Sequence, residues 1–178
     1  MKTAALHILA LITLCLSSHM VRADVEGVDE RAMKAAYLYN FALFAQWPTL
    51  PAADFQLCVL GSTQLDAELV RLQGKRVQNG LPIRMRWVLP NDPLTGCQVL
   101  YIDEHNRRSL DALLNQLATT PVLTITDAAG FADRGVMIEM RRQEQRIVFD
   151  INLIAAQRAH LNFSSRLLKL ASFVAYRS

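Results

Sequence analysis

Glycine-rich phosphate loops are missing from this 178-residue chain. Its seven glycines form neither GxGxxG nor a P-loop, which excludes the usual backbone cradles for dinucleotides and nucleoside triphosphates. There is no HExxH helix for a metalloprotease and no Gly-x-Ser-x-Gly elbow for a hydrolase. Histidine is scarce, four in all, and only His105 and His160 stand beyond the first 23 residues. No run of about 18 apolar residues follows the N-terminal segment, so no direct membrane insertion of the mature chain is expected. A formal charge of +3 with no basic stripe gives no field for holding nucleic acid.

What is present begins with "MKTAALHILALITLCLSSHMVRA". Lys2, an apolar core from about Ala4 to Leu16 and the ending Val21-Arg22-Ala23 have the three-part build of a secretory signal peptide. Residues 1–23 are therefore expected to be a cleaved leader, leaving residues 24–178 as one exported domain. The leader takes Lys2, Arg22 and Cys15 with it, so the mature chain is close to neutral and keeps Cys58 and Cys97. An even pair in an oxidising compartment is read first as a disulfide, contributing about 4 kcal/mol in the chain-entropy picture. Two buried free thiols are the plainer alternative. Metal ligation fits worse, because the two lack the close spacing of zinc ligands.

The rest alternates between strand and helix signals. A helix is expected from Glu30 to Gln46, stopped at Trp47-Pro48 because proline disfavours helical geometry in the residue before it. "FQLCVLG" reads as a buried strand. "STQLDAELVRLQG" reads as a helix, with Thr63 and Asp66 fitting a capping box and Gly74 at its C-cap. Asn79-Gly80 marks a turn before a strand around Ile83, Met85 and Trp87. "CQVLYID" and "PVLTITD" are further strands, separated by the helix "RRSLDALLNQLA". Two strands then flank the polar turn Arg141–Gln145, followed by a short helix from Leu153 and a longer one from about Ser164. The expected fold is α/β: a single domain with a mixed, mainly parallel sheet flanked by helices, ending in a β-hairpin and helices.

In such sheets ligands gather beyond the carboxyl ends of the parallel strands. Those ends carry Ser62, Asp103, His105 and Thr126, a candidate crevice for a small ligand. A phosphate site there lacks the glycines, and the caps of ordinary helices explain Ser62 and Thr63. A phospho-acceptor built on Asp103 and Thr126 lacks the second acidic pair needed to hold Mg²⁺. Consecutive Asp103, Glu104 and His105 do not converge readily on one ion, and the serines all sit at helix starts. No catalytic residue, metal or cofactor is expected, and the chain is read as a non-enzyme. Asp150 and Asn152 interrupt the apolar run "RIVFDIN". Asn152 fits an N-cap and Asp150 a surface carboxylate, with service to a partner as the sharper reading of each.

Together "MKAAYLYNFALFAQWP", "FQLCVLG", "CQVLYID", "VLTITDAAGFADRGVMIEM" and "RIVFDINLIAAQRAHLNFSSRLLKLA" resemble the YfiR family, in one order over most of the mature chain. The resemblance implies a small periplasmic α/β protein that binds the periplasmic part of an inner-membrane diguanylate cyclase and represses it. Cyclic di-GMP and biofilm formation would fall as a result. It further implies release by an outer-membrane, peptidoglycan-associated lipoprotein, a homodimer, and pairing of Cys58 with Cys97. Similar domains also serve as extracytoplasmic sensors, so a small-molecule sensor feeding a receptor is the alternative.

The first helix bears on this expectation. Met33, Tyr37, Phe41 and Phe44 make one stripe, and Leu38, Tyr39, Leu43 and Trp47 widen it nearly all round. Such a helix needs cover on more than one side. The sheet and a neighbouring helix can supply all of it. Alternatively part of the surface serves a second copy or the target, with Tyr37, Tyr39 and Trp47 as anchors.

Overall fold

The computed structural model describes residues 25–176, with side chains from Glu30 onward. The expected leader and its cut after Ala23 lie outside the described residues. The elements are α1 (Val25–Phe44), β1 (Ala45–Gln46), β2 (Phe55–Leu60), α2 (Asp66–Leu69), β3 (Arg76–Val77), β4 (Leu81–Val88), β5 (Val99–Ile102) and α3 (Leu110–Leu117). They continue with β6 (Leu123–Thr126), β7 (Ile138–Gln143), β8 (Arg146–Asn152), α4 (Leu153–Arg158), β9 (Asn162–Phe163), α5 (Ser165–Leu170) and β10 (Phe173–Ala175).

Eight strands form one sheet in the order β10-β8-β7-β6-β5-β2-β4-β3. The run from β7 through β4 is parallel, and β10 is parallel to β8. The β7–β8 hairpin and the β3–β4 pair are antiparallel, so the sheet is mixed and mainly parallel, as the sequence implied. β1 and β9 form a separate two-stranded ladder.

Alternation along each strand sorts side chains onto two faces. Leu57, Val59, Val99, Tyr101, Leu123, Ile125, Ile138, Met140, Phe149 and Ile151 point to the first face and join one core with α1, α4 and α5. α1 supplies Ala35, Leu38, Phe41 and Ala42, all buried there, and Phe41 meets Phe149 edge-on at 4.9 Å. Cys58, Leu60, Leu100 and Ile102 point to the second face, where Leu110, Leu113 and Leu117 of α3 and Phe131 seal them. Burying each such aliphatic side chain contributes about 1.5–3 kcal/mol before the entropy cost. The Cys58–Cys97 disulfide lies within this second core, with Cα atoms 5.8 Å apart.

Several boundaries differ from the sequence reading, and the first helix already begins at Val25 rather than Glu30. The first helix stops at Phe44, two residues early, because Ala45 and Gln46 pair with Phe163 and Asn162. Gln78 enforces that stop. Its side-chain amide donates to the carbonyls of Ala42, Leu43 and Ala45 at 2.7, 3.1 and 2.9 Å, groups the helix end leaves without intrahelical partners. The expected helix of residues 62–74 is one α-turn followed by a 3₁₀ turn over Val70–Leu72. The Thr63 hydroxyl caps Leu65 N–H instead of building a full capping box with Asp66. Gly74 does take the left-handed conformation of a C-cap, at φ +77°.

The last correction matters most for function. The final helix ends at Leu170, and Ala171 turns extended so that Phe173–Ala175 can add to β8 as β10. Hydrogen bonds along β8 hold this segment extended, beginning with Ser172 N–H donating to Phe149 O.

Candidate functional site

The second sheet face changes character between β5 and β10. Beyond Leu100 and Ile102 it carries Thr124 and Thr126 on β6, Glu139 and Arg141 on β7, Asp150 and Asn152 on β8, and Phe173 and Ala175 on β10. Register places Thr126, Glu139, Asp150 and Phe173 in one row across four strands. α3 covers the apolar part of this face, and no described helix covers the row's outer end.

Each polar group in the row is tied down locally. Thr126, fully buried, accepts a hydrogen bond from Ala128 N–H through its hydroxyl. Glu139 accepts from Gly130 N–H and Ala132 N–H at 3.1 and 2.8 Å, the bonds that pay for its 7% exposure. Asp150 pairs with Arg141 at 3.1 Å, and Arg141 also donates to Ser172 Oγ. Asn152 caps α4 by accepting from Ala155 N–H, while its amide donates to Ala132 O. The result is a rigid, polar floor. A hollow of about 270 Å³ opens over it, with Asp133, Asp150, Asn152, Phe173 and Ala175 among its walls.

Beside this floor stand the exposed apolar side chains of the C-terminal segment: Leu170 at 64%, Phe173 at 62% and Tyr176 at 64%. Aromatics left in water at the rim of a polar basin are the composition that protein interfaces favour. Reading the C-terminus as helix hid these residues. The alternation of "SFVAY" was the available signal.

The three aromatics expected as anchors on the first helix lie elsewhere, on the first face. Tyr37 Oη donates to Ile147 O at 3.1 Å, and Tyr39 Oη donates to Arg76 O at 2.9 Å. Trp47 packs edge-on against Phe55 at 5.0 Å, and its Nε1 is buried without an acceptor among the described residues. Each is half-buried and holds the helix or its end to the body.

At the carboxyl ends of β5 and β6 a second hollow, of about 250 Å³, takes in Asp103, His105, Tyr101 and Asp127. Asp103 accepts from His105 N–H and Asn106 Nδ2, and sits 2.9 Å from His105 Nδ1. That hydrogen bond raises the pKa of the His105 imidazole. Ser62 does not line this hollow. Its hydroxyl donates to Asp66, whose own pKa is lowered: burial works against the charge, but hydrogen bonds from Trp87, Thr63 and Ser62 prevail. Thr126 is fully buried and does not line it either.

Sequence reading missed the chain of charges behind this hollow. Lys34 on α1 bridges Glu30 and Asp127, both at 2.9 Å, and Arg142 on the hairpin reaches Glu30 at 3.1 Å. Tyr101 Oη donates to Asp127 at 2.5 Å, and burial together with that carboxylate pushes its pKa far up. Burial opposes the Lys34 charge, yet the flanking carboxylates raise its pKa, and the Lys34 hydrogen bond lowers that of Glu30. Among the described residues no three His, Cys, Asp or Glu side chains are placed to hold a metal ion.

A family model described as YfiR/HmsC-like matches residues 31–172. Among solved structures, the chain is similar to a "conserved domain protein" from Vibrio cholerae O1 biovar El Tor strain N16961. That match has a TM-score of 0.51 and 11% identity, covering 81% of this chain and 60% of the Vibrio chain. At that identity the likeness speaks for the fold alone.

Proposed function

Since the chain belongs to the YfiR/HmsC-like family, a family of periplasmic regulators in cyclic di-GMP signalling, we propose that it binds the periplasmic part of an inner-membrane diguanylate cyclase and represses it. The observation that carries this reading is the open polar face of β7, β8 and β10 with Leu170, Phe173 and Tyr176 exposed at its rim. Repression by binding requires only differential affinity: the protein must hold the inactive receptor better than the active one. An outer-membrane lipoprotein that competes for the same protein relieves the inhibition by mass action. A homodimer would place two such faces on one receptor dimer and raise the effective concentration. Location in the periplasm agrees with the disulfide, and no described helix is long and apolar enough to cross a membrane.

The test is capture of the cyclase from detergent-solubilised inner membranes by the mature chain, with cyclic di-GMP synthesis measured in the captured fraction. Recovery of the enzyme with its synthesis depressed is the expected result. Recovery of no cyclase, or of one with undiminished synthesis, overturns the proposal.

A second reading has its own observation, the hollow beside Asp103, His105 and Tyr101 at the strand ends. There a small polar ligand would make the protein a sensor feeding a receptor. A ligand that raises the melting temperature of the wild type but not of an Asp103→Ala variant would favour it.

A further inference from the structure

We propose that the outer edge of β10 receives an extended, basic segment of the receptor as an added strand. A lysine or arginine of that segment would seat in the acidic hollow beside Phe173. This deepens the regulatory reading above and rests on it, by naming how the open face engages its partner.

The edge is available. β10 is last in the sheet, and its register against β8 pairs Phe173 with Asp150, Val174 with Ile151 and Ala175 with Asn152. Ser172 N–H donates to Phe149 O on β8. Successive residues of a strand aim their peptide groups at opposite neighbours. Phe173 and Ala175 therefore aim their N–H and C=O groups away from β8, where no described strand stands.

The edge is also unguarded, and the opposite one is not. Natural sheets blunt exposed edges with proline, charge, short strands or a covering loop. At the far end, β3 is two residues long, and β4 carries Pro82, Arg84 and Arg86. Where β3 runs out, Lys75 O accepts from Ile83 N–H, Gly74 N–H donates to Ile83 O, and Gln73 Oε1 accepts from Met85 N–H. β10 shares only the shortness, at three residues: "SFVAY" holds no proline and no charge, and Phe173 and Tyr176 stand in solvent. Among the described residues, one edge of a single sheet is closed by several independent means while the other is uncovered.

Charge names the occupant. Asp133, Glu139 and Asp150 line the hollow next to β10, and the cation beside them, Arg141, is held by Asp150 and Ser172. Arg141 offsets one of these three carboxylates, and the neutral N–H groups that bond Glu139 leave its charge in place, so the basin is negative on balance. Ala175 is the small side chain that β10 sets at the hollow, and it leaves a long side chain a way across β10 from an added strand. A cation arriving there also meets the exposed ring of Phe173.

The experiment uses the isotopically labelled mature chain and capped peptides of about eight residues, alternating Val and Thr around a central Lys or Glu. The lysine peptide is expected to bind and to slow amide exchange at Phe173 and Ala175. The glutamate peptide should bind about tenfold more weakly, because it meets the carboxylates. Ala175→Pro removes one outward N–H and is tolerated at an open edge, so it should weaken the lysine peptide about tenfold. Phe173→Lys, a guarding charge placed on the edge, should do the same with core amides unchanged. Equal binding by both variants, or protection confined to another surface, overturns strand addition. So does protection of Phe173 and Ala175 that rises with protein concentration in the absence of peptide, which would assign the edge to a second copy. An Ala175→Pro chain that still captures and represses the cyclase would sink this inference and leave the regulatory reading standing.

Discussion

The two halves of the second sheet face are built from neighbouring strands of one sheet, yet they have opposite fates. On β2 and β5 the outward positions are Cys58, Leu60, Leu100 and Ile102, and α3, Phe131 and the disulfide close over them. On β7, β8 and β10 the equivalent positions are Glu139, Asp150, Asn152 and Phe173, and the face stays open. A sheet buries what its alternation makes apolar and presents what it makes polar. The first half is thus where stability resides, and the second is where another molecule can be met at little cost to the fold.

That contrast can be broken experimentally, beginning with the largest effect. Leu100→Ala, at a fully buried site, should cost about 2–5 kcal/mol in urea unfolding. A loss under 1 kcal/mol would mean that the sealed half is not a packed core. Replacing Cys58 and Cys97 together by serine should cost about 2–4 kcal/mol. Before any mutation, thiol labelling of the denatured, unreduced protein should find no reactive cysteine, and two labelled thiols would refute the bridge.

Lys34→Met, which strips Asp127 and Glu30 of their ammonium, should cost about 2 kcal/mol near neutral pH. Its pH profile has a definite sign. The folded pKa of Glu30 is depressed, so its contribution is present above the ordinary value of 4.5 and is lost as pH falls through the folded value. The folded pKa of Lys34 is raised, so its contribution is present below 10.5 and is lost as pH rises past the folded value. The stability gap between wild type and variant should therefore be widest between those limits and narrow at both ends. A gap constant with pH would remove the ion pairs from the account.

The smallest effect on folding belongs to the open half. Phe173→Asp should change stability by only about 0.5 kcal/mol, since the ring is 62% exposed. The same variant should lose most of its capture of the membrane cyclase. Unchanged capture would move the docking surface elsewhere, with Tyr37, Tyr39 and Trp47 on the first face as the next place to look.

Much of this division was legible beforehand. The short apolar runs "FQLCVLG", "CQVLYID" and "RIVFDIN" placed the strands, and the fit of Asn152 to a helix N-cap held in detail. The polar interruption at Asp150 and Asn152 marked the open face, although its neighbours were not in view. Phe173 and Tyr176 stayed hidden because "RLLKLASFVAY" suits a helix as long as nothing is known of its surroundings. Lys34 carried no signal in the sequence. Only the fold brings Asp127, distant in sequence, within 2.9 Å of it.

The sequence by itself determined the periodicities, and through them the α/β class, the buried strands and the need to cover the first helix on more than one side. Local steric preference and side-chain alternation act over a few residues and need no partner. The tertiary structure alone decided which edge of the sheet stayed bare, that the last residues became a strand, and which charges met. Those outcomes depend on what lies across a hydrogen bond or an ion pair from residues far away in the chain, and no local pattern carries that.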